Sequence, residues 1–393
     1  MDMNKSMRTA SEILGNPDYL AIAYGGYRDP DHDIEPTVPQ LKEDMKILHA
    51  MGVRFLRTYK LHFPHASNVL AAIRELKAED PRFEMYVMLG VWIDCLHAWT
   101  DQAPDHEQES PRNAREIARA VELANQYPDI VKIVAVGNES MVKWAASYYV
   151  QPGVILKWVR HLQQLKSQGK LPADLWITSS DNFASWGGGG AEYHVEDLNE
   201  LIRTVDFIAM HTYPMHDTHY NPAFWGSRPK EINDSDSLRI AAAMLRASNY
   251  ARSQYESVVA YMQSLGVNKP VHITETGWAS ASNELYGSDG SRACDEYKMG
   301  LYYRHMREWT KATGLSCFYF EAFDEPWKDA ANPGGSENHF GLFTVDGQAK
   351  YAIWDLVDAG IFDGLGRGGK PIEKTYGGDE KALLKNTQPP PVQ

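Results

Sequence analysis

The run Ile130-Val131-Lys132-Ile133-Val134-Ala135-Val136-Gly137-Asn138-Glu139 decides the fold. Its first seven residues are mostly apolar and β-branched, and they stop abruptly at a glycine and two polar residues, as a buried parallel strand does at its functional end. A second run of the same kind is Val271-His272-Ile273-Thr274-Glu275-Thr276-Gly277-Trp278. Two strands therefore deliver two glutamates, with Asn138 before one and Trp278 after the other. Two carboxyls facing one cleft are what cleavage of a glycosidic bond requires, one donating a proton to the leaving oxygen and the other attacking or steering the anomeric carbon. Glu139 and Glu275 are thus the candidate catalytic pair.

Outward from this strand, apolar runs alternate with helical stripes. Upstream lie strand candidates at residues 20–27, 53–59 and 85–92. Thr37 and Gln40 form a capping-box pattern ahead of a Leu41, Met45, Leu48 stripe, and a second helix is read at 69–76. Ser110-Pro111 reads as the N-cap and first-turn proline of a helix running to Asn125. Downstream, helices at 154–168, 195–203, 237–265 and 292–313 are separated by strands at 175–179, 205–210, the Glu275 run and 315–320. Eight strands interleaved with helices over about 300 residues indicate an α/β fold, a single-domain (β/α)8 TIM barrel. The barrel is expected at 18–365, after an N-terminal segment 1–17 and before a C-terminal tail 366–393. From Lys370 to Pro389-Pro390-Pro391 that tail reads as loosely held.

Polar residues close these strands. Tyr24, Tyr59, Asp94 and Glu139 follow the first four; Asp181 with Asn182, Tyr213, Glu275 and Glu321 follow the others. The C-terminal face of the strands is where such barrels build their sites, whereas a doubly wound sheet would gather these residues at one or two switch points.

Composition narrows the partners. With 43% hydrophobic and 23% charged residues the chain is a globular protein large enough for one barrel. Its net charge of −13 repels phosphate backbones and anionic bilayers, so neither nucleic acid nor membrane is an expected partner. Cys95, Cys294 and Cys317 are odd in number and lack metal-ligand spacing, so no disulfide framework is indicated. No apolar core follows the first residues and no long apolar run occurs, so membrane insertion is not expected. A periplasmic, surface-anchored or secreted protein with its signal removed would read the same.

Several residues admit other readings. His211, His216 and His219 match no zinc pattern, so neither metal nor cofactor is expected, and His211 is assigned a hydrogen bond within the cleft. Gly187 to Gly190 lack the Gly-Lys-Ser/Thr of a phosphate cradle and suit a lid or a close sugar approach. Cys95 with His62 and His65 lacks the nucleophile elbow of a thiol enzyme. Glu321 fits a sugar-binding carboxylate and an arginine-paired charge equally. Trp186, Trp225, Trp278 and Trp327 could fill the core, yet their place beyond strand ends suits stacking on sugar rings, and Trp278 is the leading candidate.

The chain resembles glycoside hydrolase family 17, in the clan of retaining (β/α)8 glycosidases. Asn138-Glu139 matches the clan's acid/base after the fourth strand, and Glu275-Thr276-Gly277-Trp278 its nucleophile after the seventh. Phe323-Asp324-Glu325-Pro326-Trp327-Lys328 is similar to the family's Asn-Glu-x-x-Lys, with Asp324 where Asn is usual, and His339-Phe340-Gly341-Leu342-Phe343 resembles its HFGLF segment. The likeness spans residues 18 to 355 and departs in long loops after strands three, five and six.

The resemblance implies a retaining mechanism, with carboxyl oxygens about 5–5.5 Å apart. Glu139 would be the acid/base, with a raised pKa, and Glu275 the nucleophile, kept ionised with a hydrogen bond from Tyr213. Asn138 would bind the 2-hydroxyl, and Glu325 and Lys328 would support the pair. Substrate contacts are assigned to Tyr24, Tyr59, Asp94, Asp181, Asn182, Trp186, His211, Trp278, Glu321 and Trp327. The activity implied is an endo-β-1,3-glucanase on laminarin-type glucan, acting as a monomer. The alternatives are a β-1,3-glucanosyltransferase using the same glutamates, a non-catalytic glucan-binding barrel and a metal-dependent hydrolase.

Overall fold

Eight short strands close into a ring in which each pairs in parallel with its sequence neighbour: β1 (Leu20–Ala23), β2 (Val53–Arg57), β3 (Tyr86–Val91), β4 (Val131–Asn138), β5 (Trp176–Asn182), β6 (Ile208–His211), β7 (Val271–Gly277) and β8 (Cys317–Phe320). β8 pairs back onto β1, so the sheet has no free edge. The longer helices are α1 (Val38–Ala50), α2 (His65–Glu79), α3 (Asn113–Gln126), α4 (Pro152–Ser167), α5 (Glu196–Thr204), α6 (Asp236–Ser264) and α7 (Glu296–Thr313), with shorter ones that include Pro214–Tyr220, Trp354–Asp358 and Glu380–Leu384. These elements come from a computed structural model describing residues 8–392. The expected (β/α)8 barrel is the architecture found.

Strand alternation divides the apolar residues between two cores. Along β4, Ile133 and Ala135 point into the barrel, while Val134 and Val136 pack outward beneath the helices. The interior is filled by Phe55, Met88, Ala209 and Phe318 with their neighbours. Its bottom is closed by Ala10, Ile13 and Leu14 from a short helix, Ala10–Ile13, in the N-terminal segment; residues 1–7 lie outside the described residues. With the lower end plugged, the strands' C-terminal ends form the open face.

Local chemistry sets the helix ends. The Thr37–Gln40 capping box starts α1 as expected. Ser110-Pro111 instead forms a turn, and α3 begins later, at Asn113. α7 begins at Glu296 and not at residue 292, because Arg292 is left-handed (φ 57°) and Asp295 supplies the cap by accepting from the Lys298 N–H at 2.8 Å. A hairpin pairing Cys95–Leu96 with Asp105–Glu109 follows β3. Its second strand, Asp-His-Glu-Gln-Glu, has no apolar alternation by which to read it.

The tail is not loosely held. Arg367 is 99% buried at its side chain and donates to both oxygens of the equally buried Asp44, at 2.8 and 3.1 Å, and to the Gly26 carbonyl. Tyr24 Oη donates to the same carboxylate. Further along, Ser227 N–H donates to the Pro391 carbonyl at 2.8 Å. Residues 366–392 therefore strap α1 and the β6–α6 loop. Replacing Arg367 with Ala leaves Asp44 only Arg28 and Tyr24 as side-chain partners and should cost about 1.5–3 kcal/mol, read from the midpoint of chemical denaturation.

Candidate active site

Gly137, with φ at +87°, turns the end of β4, and Asn138 and Glu139 follow it. Glu139 is itself left-handed (φ 48°), an uncommon state for a residue with a side chain, and neighbours hold it there. Its N–H donates to the Ser180 carbonyl at 3.0 Å, Ser140 Oγ donates to the Ile93 carbonyl, and the Met141 N–H donates to Asp181 at 2.7 Å. The acid-bearing turn is thereby fixed to the ends of β3 and β5.

Opposite it, Glu275 projects from β7 and every oxygen is occupied. Tyr213 Oη donates to Oε1 at 2.7 Å and Tyr59 Oη to Oε2 at 2.9 Å. Arg57, from β2, forms an ion pair with Oε2 and also donates to Asn138 Oδ1 and to the Thr274 carbonyl. With its Oδ1 taken, Asn138 presents its amide N–H groups to the pocket it lines. His211, fully buried, sits 3.0 Å from Glu139 Oε1 through Nδ1 and 2.7 Å from Ser180 Oγ through Nε2. One oxygen of Glu139 and one of Glu275 lie within 4.8 Å of each other.

These surroundings drive the two carboxyls apart. Burial first, and then the negative Glu275, push Glu139 up to about 8. Burial also opposes ionisation of Glu275, but His211, Arg57 and the hydrogen bonds from Tyr213 and Tyr59 outweigh it and hold the group at about 2. Because burial lowers His211 itself to about 4, the imidazole is neutral near pH 7 and Arg57 is the standing cation there. At neutral pH the site thus holds one proton-bearing acid and one ionised carboxylate.

A cavity of about 240 Å³ opens beside Glu275 and Asn138, walled by Tyr24, Tyr59, Glu321 and Trp327 among others. Glu321 is paired with Lys328 at 3.4 Å, not with an arginine, and its buried Oε1 has no hydrogen-bond partner. Burial and then Glu325 raise its pKa well above the carboxylate range. Glu325 accepts from Trp327 Nε1 at 3.0 Å, and Gly25 lets it approach, since a Cβ there would lie 2.0 Å from its Oε1. Lys328, 3.9 Å above the Phe320 ring, completes the supporting network.

A family comparison gives this geometry its context: the BtgE/BtgC glycoside hydrolase domain matches residues 21–341. The chain belongs to that family. It is a glycoside hydrolase. A crystal structure of an endo-laminarinase from Formosa Hel1_33_131 is 64% identical, covers 98% of both chains and superposes with a TM-score of 0.98. A glucan 1,3-beta-glucosidase of Arthroderma benhamiae is 25% identical over 83% of this chain and 87% of its own. The putative glucan endo-1,3-beta-glucosidase btgC of Aspergillus niger is 24% identical over 77% of this chain, which spans only 37% of that protein's length. A Rhizomucor miehei β-1,3-glucanosyltransferase mutant, at 22% identity and a TM-score of 0.59, shares the fold.

The glycoside hydrolase corrects several sequence assignments. Trp278 and Trp186 are fully buried, their indole N–H groups donating to the Ala293 and Ala209 carbonyls, both at 2.9 Å, so neither faces a sugar. Asp181 is also fully buried and binds Met141 N–H and Ser185 Oγ, while Asn182 accepts from the Ala184 N–H; both order loops. Gly187 is buried against Tyr261, where an added Cβ would come within 2.1 Å, so this glycine serves packing. Asp94 lies in a second cavity, paired with Arg112 at 3.0 Å.

Arg57 was not among the sequence candidates. It stands in the apolar run Val53–Arg57, two places after the inward-facing Phe55, and that parity is the signal that aims it into the barrel. Glu139, His211 and Glu275 also gather as a potential metal-ligand trio. Glu275 is already engaged by Arg57, Tyr59 and Tyr213 and His211 Nε2 by Ser180, and a cation would sit against a guanidinium, so the donor set does not fit a metal.

Replacing Arg57 with Met removes a cation that favours ionisation of both carboxyls. Both limbs of the pH profile of kcat/KM on laminarin should move to higher pH, the acid limb further, with a fall of about 10²-fold at pH 6.

Proposed function

We propose that this glycoside hydrolase is a retaining endo-β-1,3-glucanase of family 17 that cleaves laminarin-type glucan through a glycosyl-enzyme intermediate. The observation carrying the mechanism is that one oxygen of each carboxyl lies within 4.8 Å of the other, near the roughly 5–5.5 Å of a retaining pair, whereas inversion needs about 6.5–9.5 Å to seat a water. In the first step Glu275 Oε attacks the anomeric carbon as the glycosidic bond breaks, and the leaving oxygen takes the proton of Glu139. In the second, Glu139, now ionised, removes a proton from water, whose oxygen displaces Glu275 and keeps the original configuration. Asn138 donates to the 2-hydroxyl of the reacting sugar, a contact that tightens as the ring approaches an oxocarbenium ion.

Support for β-1,3-glucan as substrate comes from the endo-laminarinase at 64% identity over nearly the whole of both chains, and from the fungal glucan 1,3-β-glucosidases. The family-17 reading rests on the Asn138-Glu139, Glu275-to-Trp278 and His339-to-Phe343 runs. Hydrolysis is preferred over transfer because the glucanosyltransferase is alike in fold alone.

A product time course from laminarin, with cellulose and mannan as controls, should give short β-1,3 oligosaccharides whose new ends are β at first. Chains longer than the starting oligosaccharide would identify a transferase, and α ends an inverting enzyme. Glu275→Gln should abolish turnover while retaining glucan binding in calorimetry. Glu139→Ala should spare the first step for aryl glycosides with good leaving groups, whose departure needs no proton. Equal loss of binding and turnover in Glu275→Gln would remove that residue from the nucleophile's role.

A further inference from the structure

We propose that the loop after β3 builds a remote glycone subsite in which Trp99 stacks on a glucosyl ring and Asp94 accepts from its hydroxyls. This deepens the endo-glucanase reading and rests on it. The first cavity is walled by Glu275 and Asn138 but not by Glu139. Glu139 protonates the departing sugar, so that sugar lies on its side and the cavity holds the part of the chain retained on Glu275. A second cavity, of about 650 Å³, continues from the first through shared walls at His32, Lys60, Phe63 and Trp92. A glycone longer than the first cavity therefore runs into the second.

Trp99 stands in that second cavity with 58% of its surface exposed. Its orientation is nonetheless built. Tyr148 stacks against one face, with centroids 5.2 Å apart and planes 23° apart, and the Cys95 N–H donates to the Tyr148 carbonyl. Arg112 ties the hairpin base by donating to the Ala98 carbonyl at 3.1 Å and to Asp94 at 3.0 Å. His97 and Trp99 are both left-handed, with φ of 65° and 60°. For a bulky residue that conformation is costly and persists where surroundings impose it, as they do at ligand clamps.

A second, independent observation points to a ligand. Asp94 is 2% exposed and lines the same cavity; one oxygen takes Arg112, and the other, near Ser110 and Trp92, has no hydrogen bond of good geometry. An aromatic face beside an unsatisfied acceptor matches a neutral sugar, with an apolar ring face and hydroxyls at its edge.

The test compares kcat/KM for laminaritetraose and laminariheptaose in the wild type, Trp99→Ala and Trp99→Phe. Trp99→Ala should lose about tenfold on the heptaose and nothing on the tetraose, and Trp99→Phe should restore part of the loss. With a reducing-end-labelled heptaose, Trp99→Ala should shift cleavage toward the non-reducing end, because a chain without its remote anchor slides toward the aglycone side. Equal loss at both lengths, or no loss on the heptaose, would overturn the subsite. A wild type that cleaves neither oligosaccharide nor laminarin would instead overturn the endo-glucanase reading.

Discussion

One buried guanidinium constrains everything around it. Arg57 is 1% exposed, so its charge has given up water and needs an anion and acceptors in return. Glu275 is the anion, and Asn138 and the Thr274 carbonyl supply the acceptors. The cation cannot be neutralised at any working pH, so it fixes the ionised state of its partner. Once those two charges cancel, a second buried carboxylate would be unmatched, and Glu139 therefore keeps its proton to about 8. Two identical side chains acquire opposite roles because one has the arginine and the other does not.

Neutral polar groups transmit this arrangement to the strands. Ser180 Oγ lies 2.7 Å from both His211 Nε2 and Thr274 Oγ1, so β5, β6 and β7 are tied together directly beneath the carboxyls. The bottom of the barrel is filled with hydrocarbon and plugged by the N-terminal helix, while the upper layer is a hydrogen-bonded lattice. Packing sets the strand positions, and the lattice sets where the acids point.

The barrel and the meeting of Glu139 with Glu275 were legible because each strand ends abruptly in polar residues, a local pattern with a global meaning. Side-chain direction beyond the strand ends was not legible. Trp186 and Trp278 stand where sugar-stacking residues could stand, yet a ring turns inward when a carbonyl such as that of Ala209 or Ala293 satisfies its N–H. The ordered tail escaped notice for a related reason. Its anchor joins Arg367 to Asp44, residues hundreds of positions apart whose meeting no periodicity announces. Arg57 lay between these cases: its parity was readable, but a run of apolar neighbours made it look like one charged exception in a strand.

The left-handed backbone at Glu139 places the protein's durability and its chemistry in opposition. A glycine at that position would relax the main chain, and any neutral residue would remove a carboxyl that burial penalises. A search guided by thermal robustness alone would therefore be drawn first to the position proposed to carry the transferable proton. Laboratory selection for hardier descendants has to hold that codon fixed, since resilience and turnover pull it in contrary directions.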